Sequence, residues 1–325
     1  MPRQARLDMP GALHHIMVRG INKESVFIDK EDKEQLLQRL GINLVDGQGF
    51  VYAWVVMDNH LHLLIKSGKR GISDIMRKLL TWYAQYYNRL HRRRGHLFEN
   101  RYKSILCEEE TYLLALIRYI HLNPVRAGIV GTMEELDEYL WSGHSAVMRN
   151  VSRSWMDIDY VLAQFGRKKR AAGNAYRKFI EEGMTIGRKP ELTGGGLGRS
   201  GGGWSEVVAR RRKGQKEEFD ERILGGGNFV QEVLQEAEDR QIRQLKIQRR
   251  GITIGSIIDE ECTKAGISEN EVKAGSRRGP VSRLRARIAY RSRDELGLSA
   301  AEIARHMGMA TSSITRAIDR EHHTS

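Results

Sequence analysis

Residues 49–66 read GFVYAWVVMDNHLHLLIK, an apolar run, a two-residue break at Asp58-Asn59, then a second apolar run threaded with two histidines. Two strand-like segments joined by so short a break form an antiparallel pair, predicted as Gly49 to Met57 and His60 to Lys66. Upstream, His14 to Val18 reads as a strand and Lys30 to Val45 as a helix. Downstream come a long basic helix from Ile72 to about Arg93, a strand near Tyr102 to Leu106, and a helix from Thr111 to about Leu122. The order β-α-β-β-α-β-α predicts an α+β fold of the ferredoxin-like, split βαβ kind, an antiparallel sheet with helices on one face.

The chain has 325 residues, 54 Lys and Arg against 41 Asp and Glu, and a formal charge of +13, which favours a nucleic-acid partner over an acidic small molecule. Its two cysteines, Cys107 and Cys262, stand in no CxxC spacing, so neither a disulfide framework nor a zinc finger is indicated. No apolar run is long enough to span a bilayer and no secretory signal opens the sequence, so a cytoplasmic protein without a membrane partner is expected. After Trp141 the texture becomes helical pieces separated by glycine triplets at 194–196, 201–203 and 225–227. This predicts three parts: residues 1–150, a glycine-jointed helical connector over 151–250 with charged helices at 205–223 and 229–249, and a compact helical domain over 251–325.

On a strand, side chains alternate between faces, so His60 and His62 project to one side while Leu61 and Leu63 turn to the other. Two neutral imidazoles on one face can hold a metal, although eleven histidines are enough for such a triplet to arise by chance. In TYLLALIRYIHLNPVRAG, residues 111–128, Leu113, Ile117 and Ile120 make a core stripe. Tyr112, Leu116, Tyr119 and Asn123 make a neighbouring one, with Tyr119 and Asn123 one turn apart. Pro124 disfavours helical geometry at Asn123 and marks the helix end there. Taken alone, Tyr119 is equally an amphipathic boundary residue and Asn123 a cap, and His121, pointing off this stripe, reads as a surface residue.

Four blocks change the balance: MDNHLHLLI at 57–65, GHLFENRYKSI at 95–105, YIHLNPVRAGIV at 119–130 and YLWSGHS at 139–145. In this order they resemble the REP-associated tyrosine transposases, relatives of the small HUH insertion-sequence transposases. The resemblance implies an enzyme that cleaves and rejoins single-stranded or hairpin DNA through a 5′-phosphotyrosine. It implies Tyr119 as nucleophile and a divalent metal, Mg2+ or Mn2+, on His60, His62 and Asn123. Asp58 departs from the family, which often has proline before the histidines; the extra carboxylate either alters the metal preference or makes the turn. Relatives work as dimers or alone, so a monomer or a homodimer is expected.

The long helix and the stretch after it interleave Arg77, Lys78, Arg89, His91 and the run Arg92-Arg93-Arg94 with Trp82, Tyr83, Tyr86 and Tyr87. Cations that track phosphate beside aromatics that stack on bases suit single-stranded DNA. Helical spacing turns Leu79, Tyr83, Tyr86 and Leu90 inward, leaving Trp82, Arg77, Lys78, Arg89, Arg92, Arg93 and Arg94 as binding candidates. Near the end, SAAEIARHMGMATSSITRAID has the spacing of a helix-turn-helix, with Ala304 at the crossing, Gly308 in the turn and Ile314 on the second helix. Residues from about Gly251 to Arg320 resemble the DNA-binding domain of the bacterial replication initiator. The recognition helix departs from it, carrying Thr311, Ser312 and Ser313 where the initiator has Asp-His-Ser. The resemblance makes Ser312, Ser313, Thr315 and Arg316 base or phosphate contacts with duplex DNA, and Arg277, Arg278, Arg283 and Arg285 phosphate clamps, a solvated charged face being the alternative for each. A DNA-binding regulator that kept the scaffold and lost catalysis, and an RNA-binding ferredoxin-like protein, are the rival readings; no RNP-type aromatic motif supports the second.

Overall fold

The structure is a computed structural model that describes residues 7–68, 71–185, 192, 220–249, 252–274, 276 and 278–321. The chain divides into two compact units, Met1–Glu232 and Val233–Ser325.

The first unit is built on a five-stranded sheet. Its strands are β1 (Leu13–Arg19), β2 (Phe50–Val56), β3 (His60–Lys66), β4 (Lys103–Cys107) and β5 (Ile223–Leu224), in the order β2-β3-β1-β4-β5. The first four strands pair antiparallel in the predicted ferredoxin-like order. The short β5 adds to β4 in parallel, where a charged helix running to Ile223 was expected. Helices α1 (Lys30–Gly47) and α2 (Ile72–Leu90) follow β1 and β3, and α3 (Glu109–His121) follows β4. In α1 the apolar Leu36, Leu37, Leu40 and Leu44 are buried at helical spacing, and Asp29 caps the start by accepting from the Asp32 N–H.

Helices on one face alone do not describe this sheet. The run Leu61, His62, Leu63, Leu64 and Ile65 in β3 is buried without interruption, and so is Val51 to Val56 in β2. Because neighbours on a strand point to opposite faces, such runs require both faces to be covered. On one side Trp54 packs with Trp155, which also meets Gly41 of α1, while α3 lies against the face that carries His62.

The packed core also passes residue 150. Met156, Val161, Leu162, Ala172, Tyr176 and Ile180 belong to the same cluster as the sheet, so residues 151–182 add to this unit rather than leave it. The triplets at 194–196 and 201–203 lie outside the described residues. Gly225 and Gly226 stand between β5 and the helix Gly227–Arg249, which Gly227 opens.

The second unit has its own core, in which Ile257, Ile258, Val272, Ile288, Ile303, Met307 and Ile314 are buried. Ala300–Met307 and Thr311–Glu321 form the predicted helix pair. Ser299 and Glu302 make a reciprocal capping box at its start, and Gly308 adopts φ +64° in the turn, a conformation suited to glycine. Ala304 is buried at the crossing, as its small size requires.

Arg285 departs from expectation. It is buried and donates from Nε to the Val272 carbonyl at 2.7 Å and from the guanidinium to the carbonyls of Glu271, at 3.2 Å, and Ser276. It stitches the loop after Glu269–Lys273 to its own helix and therefore leaves the set of phosphate clamps. Replacing it with methionine strands three carbonyls and is expected to cost about 2–4 kcal/mol of stability, whereas the exposed Arg283→Met should stay within about 0.5 kcal/mol. Urea unfolding of the two variants checks this; equal midpoints would contradict it.

Candidate active site

The loop order of the sheet brings the end of β1, the starts of β3 and β4 and the end of α3 around one cleft of about 590 Å³. It is lined by His60, His62, Tyr119 and Asn123, so the four residues singled out in the sequence converge. The basic residues at its wall are Arg19, Lys103 and Arg126 rather than any of α2.

His60 and His62 project from the same face of β3 with ring centroids 5.2 Å apart. Tyr119 approaches His62 edge-on, with centroids 6.0 Å apart, and Arg126 stands over the Tyr119 ring at 5.0 Å while donating to its carbonyl at 2.9 Å. Burial, reinforced by the charge of Arg19 across the strand pair and opposed by Asp58, pushes His60 down to about 4. Burial and the neighbouring His15 and His60 hold His62 well below the ordinary imidazole range. Both rings are thus neutral near pH 7, the form in which an imidazole nitrogen can ligate a cation.

Hydrogen bonds decide which atoms face the cleft. His60 Nδ1 lies 2.6 Å from Asn59 Oδ1, and Asn59 Nδ2 donates to the Lys23 carbonyl, which fixes the orientation of that amide. His62 Nδ1 meets His15 Nε2 at 3.0 Å. Asn123 donates from Nδ2 to the carbonyls of Tyr119, at 2.9 Å, and Ile120, at 3.3 Å. An amide nitrogen so placed leaves Oδ1 as the uncommitted atom. Two Nε2 atoms and one amide oxygen therefore remain, a neutral nitrogen and oxygen set that fits a divalent ion with open positions. Among the described residues no three His, Cys, Asp or Glu side chains cluster to hold a metal.

Local details differ from the sequence reading. Helix α3 ends at His121, Leu122 caps it, and Asn123 opens a separate short turn, Asn123–Arg126, with Pro124 in its first positions. The break is one residue earlier than expected, and Asn123 still reaches the cleft. His121 is fully buried, not on the surface. The Tyr176 hydroxyl lies 2.7 Å from its Nδ1, and His144 and Asp137 continue that buried chain. Asp58 is engaged by Lys33 at 2.7 Å and serves the turn. Leu116, placed on the Tyr119 stripe, is core.

Along α2, Arg77 and Lys78 both pair with Asp74, and Arg39 stands over Trp82, which stacks on Tyr86 at 5.4 Å. Arg89, Arg92 and Arg94 are exposed, and Arg93 donates to the His96 carbonyl. Tyr87 is buried where Leu90 was expected, and Leu90 is exposed. In the second unit Ser312 and Arg316 are exposed on the final helix, and Ser313 and Thr315 are half-buried. Arg278 is exposed but pairs with Glu271, and Arg277 lies outside the described residues. Arg19 and Lys103 were missed in the sequence because their place at the cleft depends on strand register. Arg126 lay three residues after Asn123 inside the quoted block and could have been found.

Residues 10–123 match the family described as IS200-like transposase. That segment of the chain is similar to this family. The matched residues contain β1 to β4 and α3 and end on Asn123, so they carry the cleft lining apart from Arg126 and Ala127. A solved structure of a REP-associated tyrosine transposase bound to a REP hairpin is similar over 49% of this chain and 90% of its own, at 20% identity and a TM-score of 0.38. No curated protein matches. Among the described residues, no helix is long and apolar enough to cross a membrane.

Proposed function

We propose that this transposase cleaves and rejoins single-stranded or hairpin DNA with Tyr119 as nucleophile and a divalent metal, Mg2+ or Mn2+, held by His60, His62 and Asn123. The observation that carries the reading is the convergence of these four side chains on one cleft, with their free nitrogen and oxygen atoms left by internal hydrogen bonds. When bound, the ion supplies Lewis-acid screening of the scissile phosphate. Arg19, Lys103 and Arg126 add positive charge along the path of the strand. The Tyr119 phenol loses its proton and its oxygen attacks phosphorus. The bond to the 3′ oxygen breaks, that oxygen takes up a proton, and a 5′-phosphotyrosine remains. A 3′ hydroxyl reverses the step, so rejoining needs no nucleotide triphosphate.

The test is incubation of the full chain with labelled single-stranded DNA from the gene's own flanks, with and without Mn2+. Metal-dependent cleavage that leaves label on the protein supports the proposal. Binding without cleavage would favour a regulator that kept the scaffold. The proposal includes a division of labour, with duplex DNA held by the helix-turn-helix through Ser312, Ser313, Thr315 and Arg316 at its second helix and by Arg278 and Arg283. Ending the chain before Gly251 is then expected to preserve cleavage of a short oligonucleotide while weakening binding to duplex-flanked targets in a gel-shift titration. A folded truncated protein that cuts no single strand would contradict that division.

A further inference from the structure

His15 lies on β1, two residues before Met17, the cross-strand partner of His62, so strand alternation puts it on the histidine face of the sheet. It is fully buried, its ring stacks on that of His62 with centroids 5.2 Å apart, and its Nε2 lies 3.0 Å from His62 Nδ1. The Tyr119 ring stands edge-on at 5.9 Å. Neither the sequence blocks nor the ligand set gives His15 any part.

Two neutral imidazoles can share such a contact in two ways. If His15 donates, His62 carries its proton on Nε2, and that nitrogen offers the cleft an N–H that cannot ligate a cation. If His62 donates, Nε2 is bare. His60 has no such choice, because the Asn59 Oδ1 atom beside its Nδ1 can only accept. The backbone of Leu192 also interacts with His15, and a proton placed on Nδ1 leaves Nε2 free to accept.

We infer that His15 is a positioning residue for His62: as hydrogen-bond acceptor it holds the proton of His62 on Nδ1 and turns a bare Nε2 into the cleft. This rests on the reading of His62 as a metal ligand. Without the acceptor, a buried Nδ1–H loses its partner, and the ligating tautomer is disfavoured. His15 touches neither substrate nor ion.

The test uses the full chain and Mn2+ alone as probe, titrated calorimetrically into the wild type, His62→Ala, His15→Phe and His15→Gln, with circular dichroism and melting curves to establish folding. His15→Phe keeps an aromatic ring and removes the acceptor, so its Mn2+ affinity should fall by about 10- to 100-fold. His15→Gln places an amide oxygen near the lost Nε2 and should recover most of the affinity, which a merely space-filling role would not produce. Proton–nitrogen correlation spectra of the metal-free wild type should find the His62 proton on Nδ1. A folded His15→Phe with wild-type affinity, or a His62 proton on Nε2, overturns the inference while leaving the metal reading intact. Equal Mn2+ binding by wild type and His62→Ala overturns the metal reading and the inference with it. If His15→Phe does not fold, the glutamine variant and the spectra decide.

Discussion

A Tyr119→Phe variant is expected to bind a single-stranded oligonucleotide within about twofold of the wild type and to form no covalent protein–DNA band on a denaturing gel. One oxygen is removed. The ring that meets His15, His62 and Arg126 is retained, so the cleft wall should keep its shape. Other tyrosines cannot readily substitute. Tyr83 and Tyr87 donate their hydroxyls to the Val26 and Ser25 carbonyls in the core. Tyr112, the alternative suggested by helical spacing two turns earlier, is not among the cleft-lining residues, whereas Tyr102 is. The Tyr102 hydroxyl lies 3.2 Å from Ser73 Oγ, an interaction that turns it away from the role of nucleophile. Tyr102→Phe should therefore keep the adduct. If Tyr119→Phe forms the band and Tyr102→Phe does not, the nucleophile has been assigned to the wrong wall of the cleft.

His62→Ala is the second variant with a large expected effect. It removes one of the three ligands proposed above and breaks the bond to His15, and Mn2+-dependent cleavage should fall by at least about 100-fold. Two substitutions on nearby residues sharpen the comparison. Asp58→Asn should leave the metal dependence unchanged, because Asp58 is engaged by Lys33 and its side chain is 62% exposed. His121→Gln should act on stability rather than on metal dependence, because His121 faces Tyr176 in a buried chain. The readout is initial cleavage rate against Mn2+ concentration. Wild-type metal dependence in His62→Ala would remove His62 from the ligand set.

The strand pair around Asp58-Asn59 was legible because alternation and a tight break are local signals, and β3 falls on His60–Lys66 as predicted. The convergence of Tyr119 and Asn123 on one cleft was legible for a related reason: a spacing of four survives even though the helix breaks between them at Leu122. What stayed hidden depends on partners distant in sequence. His121 looked exposed because its neighbour Tyr176 lies 55 residues on, in a stretch read as connector. Arg285 looked like a phosphate clamp because nothing local shows that three carbonyls surround it. His15 carries no spacing signal toward His62 at all; only the register that sets Met17 opposite His62 brings the two rings together.

Peptide mapping of the covalent adduct tests the central claim most directly. The wild-type chain is reacted with a single-stranded oligonucleotide and Mn2+, the DNA is trimmed with nuclease, and the protein is digested and sequenced by mass spectrometry. The account predicts a nucleotide mass joined through phosphate to Tyr119 in the peptide that contains the Tyr119–Arg126 segment. A nucleotide on any other residue, or cleavage that proceeds with no protein-bound product, would contradict it.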